Sequence, residues 1–250
     1  MKKITIAWLY PELMSTYGDR GNIICLKKRC QWRNIDCEIK ELNVGFDAEE
    51  LKKADFVFMG GAQDRQQKIV SQDLTKKSKI LKDMIESDVP GLYICGALQF
   101  LGKYYKESDG SIIECLDIID LYTENPGIGT ERLIGNVAIE SEINGKIESL
   151  IGFENHGGRT FIGKQIMPLG RVIVGNGNNG IDKTEGAIYK KSYCSYLHGP
   201  ILPKNPFFAD LLIEQTLKKK YKNGFFLKPL NEEIELMARK SIADRLGIKV

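Results

Sequence analysis

The sequence has no long apolar run, no dominant charge and few histidines. None of its apolar stretches approaches the roughly 20 residues that span a bilayer, so we expect no transmembrane helix. Its 36 basic and 33 acidic residues leave a net charge of +3, which is too balanced to indicate nucleic-acid binding. Apolar residues make up 42% of the 250-residue chain, enough for an α/β domain with a buried core.

The N-terminal residues contain a short apolar run that we interpret as a strand and not as a signal peptide. Their apolar run of about six residues breaks at Tyr10 and Pro11, and no small-residue cleavage site follows. We therefore expect a first β-strand there and a cytoplasmic protein.

The cysteines and histidines limit the possible chemistry. The six cysteines form no C-x-x-C pair and show none of the spacings of zinc sites. We therefore expect reduced thiols, no metal and no cofactor. The two histidines, His156 and His198, are the candidates if a reaction here needs an imidazole base.

The first hundred residues alternate between strand and helix patterns. Predicted strands end near Leu9, Leu42, Met59 and Cys95, and the longest predicted helix covers residues 65–87. This order indicates a single α/β domain with a central, mostly parallel sheet flanked by helices. The carboxyl ends of such strands form the ligand-binding edge, and a long loop at residues 10–22 lies there.

The second half of the chain has a different sequence pattern. Beyond Lys106, short β-like stretches alternate with turns rich in Gly and Asn, which predicts an antiparallel extension of the same sheet. Residues 225–250 are predicted to form a C-terminal helical extension. The domain is therefore expected to span residues 1–250.

Cys95 stands at a sharp turn between a strand and a helix. The apolar strand ends at Ile94, Gly96 permits a tight turn, and an apolar helix begins near Ala97. The start of a helix favours a thiolate, and the Gly96 N–H could face a developing oxyanion. The alternative is a buried, inert cysteine at a strand end.

A thiol nucleophile needs a base within hydrogen-bond reach. His198 ends a predicted strand directly, just before Gly199 and Pro200, which favours it as that base. His156 is the competitor, although its glycine-rich surroundings also fit a turn in which the imidazole bonds to backbone carbonyls.

The region around Cys95 resembles the nucleophile motif of class I, triad-type glutamine amidotransferases. Further segments extend the resemblance to the cobyric-acid-synthase-like branch, and within it to the glutaminase subunits of lipid II isoglutaminyl synthase. The similarity runs from about residue 3 to 217. It is carried by residues 9–13, 17–22, 60–65, 95–102, 152–160 and 196–200.

The resemblance implies a flavodoxin-like fold and a set of site residues. By this resemblance Cys95 is the nucleophile that attacks glutamine and His198 is the general base. The oxyanion hole is expected from backbone N–H groups of Gly61 and Gly96. Substrate binding is expected from Gln99 and from Arg132, whose alternative reading is a surface charge at the start of a strand.

One position departs from the family pattern. Most class I enzymes carry a glutamate two residues after the histidine, where this chain has Pro200. Either another carboxylate orients His198 or the enzyme works as a dyad. Asp19 and Glu154 are both open as that carboxylate.

The resemblance also implies a partner. Residues 175–180 lack the Lys-Ser/Thr of a P-loop, so we expect a separate Mur-ligase-like, ATP-dependent subunit (MurT). That subunit would use the ammonia to amidate the D-glutamate of lipid II. The alternatives are a glutaminase for a corrinoid (cobyric or cobyrinic acid) synthase, and a non-catalytic scaffold on the same fold.

Overall fold

The computed structural model describes residues 2–222 and 224–249. Their strands are β1 (Lys2–Leu9), β2 (Ile35–Leu42), β3 (Phe56–Met59), β4 (Gly91–Ile94), β5 (Tyr104–Lys106), β6 (Ile112–Glu114), β7 (Leu121–Glu124), β8 (Leu133–Ile143), β9 (Lys146–His156), β10 (Arg159–Ile162), β11 (Gly170–Val174), β12 (Thr184–Glu185), β13 (Ala187–Tyr189) and β14 (Ser192–Ser195). Their α-helices are α1 (Arg20–Gln31), α2 (Ala48–Leu51), α3 (Asp64–Leu74), α4 (Ser78–Glu86), α5 (Gly96–Leu101), α6 (Ile201–Lys204), α7 (Pro206–Tyr221) and α8 (Glu233–Leu246).

The central sheet has six strands in the order β13-β14-β4-β3-β1-β2. All neighbours pair in parallel except β13, which runs antiparallel to β14. Strands β3 and β4 are buried at every position, because helices and loops cover both faces of a parallel sheet and select continuous apolar runs. The predicted fold class, an α/β domain around a mostly parallel sheet, is confirmed.

The carboxyl ends of four adjacent strands meet at one edge of this sheet. Strand β1 leads into the loop of residues 10–22, β3 into Gly60 and Gly61, β4 into Cys95, and β14 toward His198. Residues far apart in sequence therefore lie together, as the strand order requires.

Two smaller four-stranded sheets extend from the central one. Their orders are β10-β7-β5-β6 and β12-β11-β8-β9. The β8–β9 hairpin closes through Asn144 and Gly145, both with positive φ (52° and 74°), which matches the twist of a two-residue hairpin turn. Its register pairs Leu133 with His156, so Arg132 lies beside the end of β9.

Several predicted details are wrong. The antiparallel strands, apart from β13, form these two separate sheets and do not continue the central one. The predicted helix at residues 65–87 is two helices, α3 and α4, separated by a 3₁₀ turn at Thr75–Lys77. Strands β5, β6, β7 and β10 were not predicted, because three or four residues carry too little periodicity to be recognised.

The C-terminal helix α8 is held by a buried arginine. The Arg239 guanidinium donates to the carbonyl oxygens of Lys204 and Ser149 and to Asn205 Oδ1. Within the described ranges, no helix has both the length and the apolarity needed to cross a bilayer. The domain limits 1–250 stay a prediction, since residues 1 and 250 lie outside the description.

Asn205 joins three elements and gives a stability prediction. Its amide accepts from Ile151 N–H (2.9 Å) and from Arg239, and donates to the carbonyl oxygens of Ile151 and Ile201, both at 2.8 Å. Asn205→Leu leaves these buried groups without hydrogen-bond partners. It should therefore lower the free energy of unfolding by about 3 kcal/mol. Chemical denaturation measures this free energy. Asn136→Leu, at an exposed position of β8, is the control, and an equal loss in both variants would contradict the prediction.

Candidate active site

Cys95 occupies a strained turn between β4 and α5. Its φ and ψ are 54° and −107°, a region that non-glycine residues rarely occupy. The turn is fixed because the Cys95 N–H donates to Ser195 O (2.8 Å) and the Cys95 carbonyl accepts from Gln99 N–H (3.1 Å). Only 4% of the residue is exposed, yet it lines a cavity of about 470 Å³.

His198 follows the end of β14 and lies beside Cys95. Its backbone bonds in both directions with Phe153 of β9, at 2.7 and 3.2 Å, so two sheets fix the ring. A Cβ atom built on Gly61 would lie 2.9 Å from His198 Cε1 and 3.5 Å from Cys95 Sγ. The imidazole and the thiol therefore contact the same glycine.

Asp19 lies behind His198. The carboxylate is fully buried, and its Oδ1 is 3.3 Å from His198 Nδ1. Because a carboxylate can only accept, Nδ1 carries the proton in this contact and Nε2 is the nitrogen left for proton transfer. Of the two carboxylates that the sequence left open, Asp19 is the one beside the histidine.

The other candidate carboxylate serves a different purpose. Glu154 accepts from the backbone N–H groups of Asn176 and Gly177, both at 2.8 Å, and so braces a turn. Pro200, where most of the family has a carboxylate, packs against Gly21 at the start of α1. A Cβ on Gly21 would lie 2.4 Å from Pro200 Cγ, so this proline supports the segment that carries Asp19.

The Gly61 N–H, which was predicted to stabilise the oxyanion, is already hydrogen-bonded within the protein. It donates to Asp19 Oδ2 at 2.8 Å, and the Gly61 carbonyl accepts from Thr16 N–H. A buried carboxylate requires donors, and Asp19 takes this one. Gly96, as the first residue of α5, has no intrahelical acceptor for its N–H, so the prediction for Gly96 is compatible with the structure.

Burial and charge give the two histidines opposite properties. Burial alone would lower the pKa of His198, but the neighbouring Cys95 sulfur and the Asp19 carboxylate outweigh it and raise the pKa to about 10. Burial lowers the pKa of His156 to about 3, and the nearby positive charges of Arg159, His198 and Arg132 act in the same direction. His198 is therefore the charged imidazole and His156 the neutral one.

His156 lines the same cavity as Cys95 but in a different setting. Its ring stacks on Tyr196 with centroids 3.7 Å apart, and its Nδ1 is 2.8 Å from the carbonyl oxygen of Gly158. This is the turn interaction that the sequence allowed as an alternative to a catalytic role.

The predicted substrate-binding residues both line the cavity. Gln99 is buried and donates to the Tyr196 hydroxyl at 3.1 Å. Arg132 is exposed, and Asn155 holds it through Nε–Oδ1 and Nη2–O bonds of 3.0 Å each. The hydroxyl of Tyr17, whose ring packs on His198 at 4.6 Å, lies 3.5 Å from the same guanidinium.

Sequence reasoning assigned no role to most of the lining residues, among them Tyr17, Asp64 and Gln67. Tyr17 lies in the long loop after β1, whose length was itself a signal. Asp64 and Gln67 are three positions apart in α3, directly after the Gly60-Gly61 turn. A helix places such residues on one face, and this spacing was available in the sequence.

The charge on His198 can be measured. Cys95→Ala should lower the pKa of His198, because the largest favourable charge interaction of the imidazolium is removed. In the wild type the imidazolium stabilises the fold fully below about pH 6.5, and that contribution is lost as the pH rises through about 10. Proton NMR titration of the histidine rings gives the midpoint of His198 in the wild type and in Cys95→Ala. Cys115→Ala is the control, and an unchanged midpoint in Cys95→Ala would contradict the interaction.

Comparison with known proteins identifies the family and the fold of the chain. A family model described as the CobB/CobQ-like glutamine amidotransferase domain matches residues 5–206. A solved structure described as a glutamine amidotransferase superposes with a TM-score of 0.58 at 16% identity, covering 84% of this chain and 98% of that one. At this identity the superposition supports the fold alone.

Two curated relatives are similar over nearly their whole length. The chain is 42% identical to the lipid II isoglutaminyl synthase (glutamine-hydrolyzing) subunit GatD of Staphylococcus aureus, covering 98% of this chain and 97% of that protein. It is 41% identical to the GatD subunit of Streptococcus pneumoniae, covering 93% and 87%. With the family model matching most of its length, the chain belongs to the CobB/CobQ-like glutamine amidotransferase family.

Proposed function

We propose that this chain hydrolyses the side-chain amide of L-glutamine to glutamate and ammonia through a thioester on Cys95. The observation that carries the proposal is the contact of Cys95 and His198 with one glycine, with Cys95 lining a cavity and Asp19 beside the imidazole. The names of the two curated relatives, both glutamine-hydrolysing subunits, support it.

The reaction begins at the sulfur. The Cys95 thiolate attacks the carboxamide carbon, and the carbonyl oxygen gains negative charge beside the Gly96 N–H. His198 donates its Nε2 proton to the nitrogen, so the C–N bond breaks, ammonia leaves and a thioester remains. Water then gives a proton to His198 and attacks the thioester, which releases glutamate and restores the thiolate–imidazolium pair.

Asp19 orients His198 for these proton transfers. Its contact with His198 Nδ1 holds the ring so that Nε2 exchanges the proton, and its charge favours the imidazolium that protonates ammonia. Gly61 contributes space, since any Cβ there would lie 2.9 Å from His198 Cε1 and 3.0 Å from Cys95 Cβ.

The open end of the cavity suits the zwitterionic end of an amino acid. Arg132 and Asp64 both line it, and neither forms an ion pair within residues 2–222 and 224–249. We assign the α-carboxylate to Arg132, because a guanidinium matches a carboxylate through two parallel bonds. The α-ammonium is assigned to Asp64, and Gln99 lines the buried end.

The ammonia requires an acceptor. Since both curated relatives are subunits of a lipid II isoglutaminyl synthase, we propose that this chain delivers ammonia to a Mur-ligase-like, ATP-dependent partner (MurT). The partner would amidate the D-glutamate of lipid II, in the cytoplasm. A corrinoid synthase is the alternative acceptor system, which the CobB/CobQ-like family description alone would allow.

Removal of the sulfur or the imidazole tests the chemistry. Cys95→Ser and His198→Ala should each lower glutaminase kcat by a factor of about 10³ or more, because each removes a group that forms or breaks a bond. Glutamate release measures the rate, with and without the partner. Cys115→Ser, a half-buried cysteine outside the cavity, should keep wild-type activity. Retained activity in either active-site variant would remove that residue from its role.

Reconstitution with a Mur-type ligase tests the acceptor. The complex should amidate lipid II with either glutamine or ammonium chloride as nitrogen source in the presence of ATP. The Cys95→Ser complex should use ammonium chloride alone, because the ligase needs ammonia and not this thiol. Glutamine-dependent amidation that survives Cys95→Ser, or a wild-type complex that amidates only with added ammonium, would contradict the proposed transfer.

A further inference from the structure

Three buried amide or imidazole side chains line the cavity beside Cys95: Gln67, Gln99 and His156. Each is at most 3% exposed. Each uses a nitrogen to donate to the protein, and the other polar atom of each has no hydrogen-bond partner among the described residues. Their unpartnered atoms are Gln67 Oε1, Gln99 Oε1 and His156 Nε2.

The polarity of His156 is fixed by its neighbour. Its Nδ1 lies 2.8 Å from Gly158 O, and because a carbonyl oxygen only accepts, Nδ1 carries the proton. The ring is neutral, since burial lowers its pKa to about 3. Nε2 is therefore a bare acceptor.

The orientation of Gln67 is fixed in the same way. Its Nε2 donates to the carbonyl oxygen of Ala62 at 3.0 Å, so Oε1 is an acceptor. A Cβ built on Gly96 would lie 3.0 Å from Gln67 Nε2, which places this amide against the residue that follows the nucleophile. Gln99 is oriented in the same way, because its Nε2 donates to the Tyr196 hydroxyl. Its Oε1 is therefore also an acceptor.

We propose that His156 Nε2 and Gln67 Oε1, together with Gln99 Oε1, form a subsite that accepts the N–H groups of the scissile carboxamide and of the ammonia it becomes. This inference rests on the proposed function and adds a specificity device to it. The carboxamide nitrogen offers two donors, and a buried acceptor without a donor is unfavourable. The product carboxylate has no N–H and carries negative charge, so the same acceptors disfavour glutamate and promote its release.

The subsite predicts a difference between an amide and an ester. The γ-methyl ester of L-glutamate presents the same carbonyl and the same α-carbon groups, but its leaving oxygen has no N–H. His156→Phe retains an aromatic ring to stack on Tyr196 and removes the acceptor, and Gln67→Leu removes the second acceptor. Each should lower kcat/KM for glutamine about tenfold, and each should change kcat/KM for the ester less than about twofold.

Gln215→Leu is the matched control. Gln215 lies on α7, donates to the Tyr193 hydroxyl at 2.7 Å and also has an unpartnered buried Oε1, but it does not line the cavity. The same chemical change there should leave both substrates unaffected. Circular dichroism identifies a variant that does not fold, and if His156→Phe fails this check, Gln67→Leu carries the test.

The outcomes separate the subsite from the proposed function. Selective loss on glutamine supports the subsite. Equal loss on both substrates indicates a structural role, and unchanged glutamine hydrolysis means that the acceptors do not touch the nitrogen; either result overturns the inference. A wild-type chain that hydrolyses neither substrate, alone or with its partner, overturns the proposed function itself.

Discussion

The arrangement of the site depends on one buried carboxylate. Asp19 has no contact with solvent, so it must collect donors from the protein. It takes one from His198 and one from the backbone of Gly61, and thereby ties the end of β14 to the end of β3. Removing this charge would release both the imidazole orientation and the glycine turn that faces the thiol. The same anion also favours a protonated His198, which the departure of ammonia requires.

The two histidines show how environment divides roles between identical side chains, since His156 lines the cavity and His198 lies beside Asp19. Both rings are almost completely buried, and burial lowers the pKa of each. The neighbouring Cys95 and Asp19 reverse the effect at His198, whereas Arg159, His198 and Arg132 lower the pKa of His156 further. The first ring can therefore move protons and the second can only accept a hydrogen bond. The charged imidazole lies beside Asp19, and the neutral imidazole lines the cavity.

Much of the fold and of the candidate site could be predicted from local sequence patterns. The remaining contacts depend on long-range packing. The strands ending at Met59 and Ile94 have strong apolar patterns, so the parallel sheet and its binding edge were predictable. The bond from Asp19 to His198 spans 179 positions, and no local pattern encodes it, which is why Asp19 and Glu154 were equally acceptable beforehand. The prediction that the Gly61 N–H faces an oxyanion was made without knowing that a buried carboxylate competes for it. The separate antiparallel sheets were missed because strand pairing is set by packing and not by composition.

The most direct test of the central claim is covalent trapping by a diazoketone analogue of glutamine, followed by mass spectrometry. If Asp19, His198 and Cys95 act as one unit, a single adduct forms on Cys95, glutamine protects against it, and Asp19→Asn slows the labelling about tenfold or more. Glu154→Gln, a change in the other candidate carboxylate, should label at the wild-type rate. Labelling of another cysteine, or an Asp19→Asn rate equal to that of the wild type, would contradict the account.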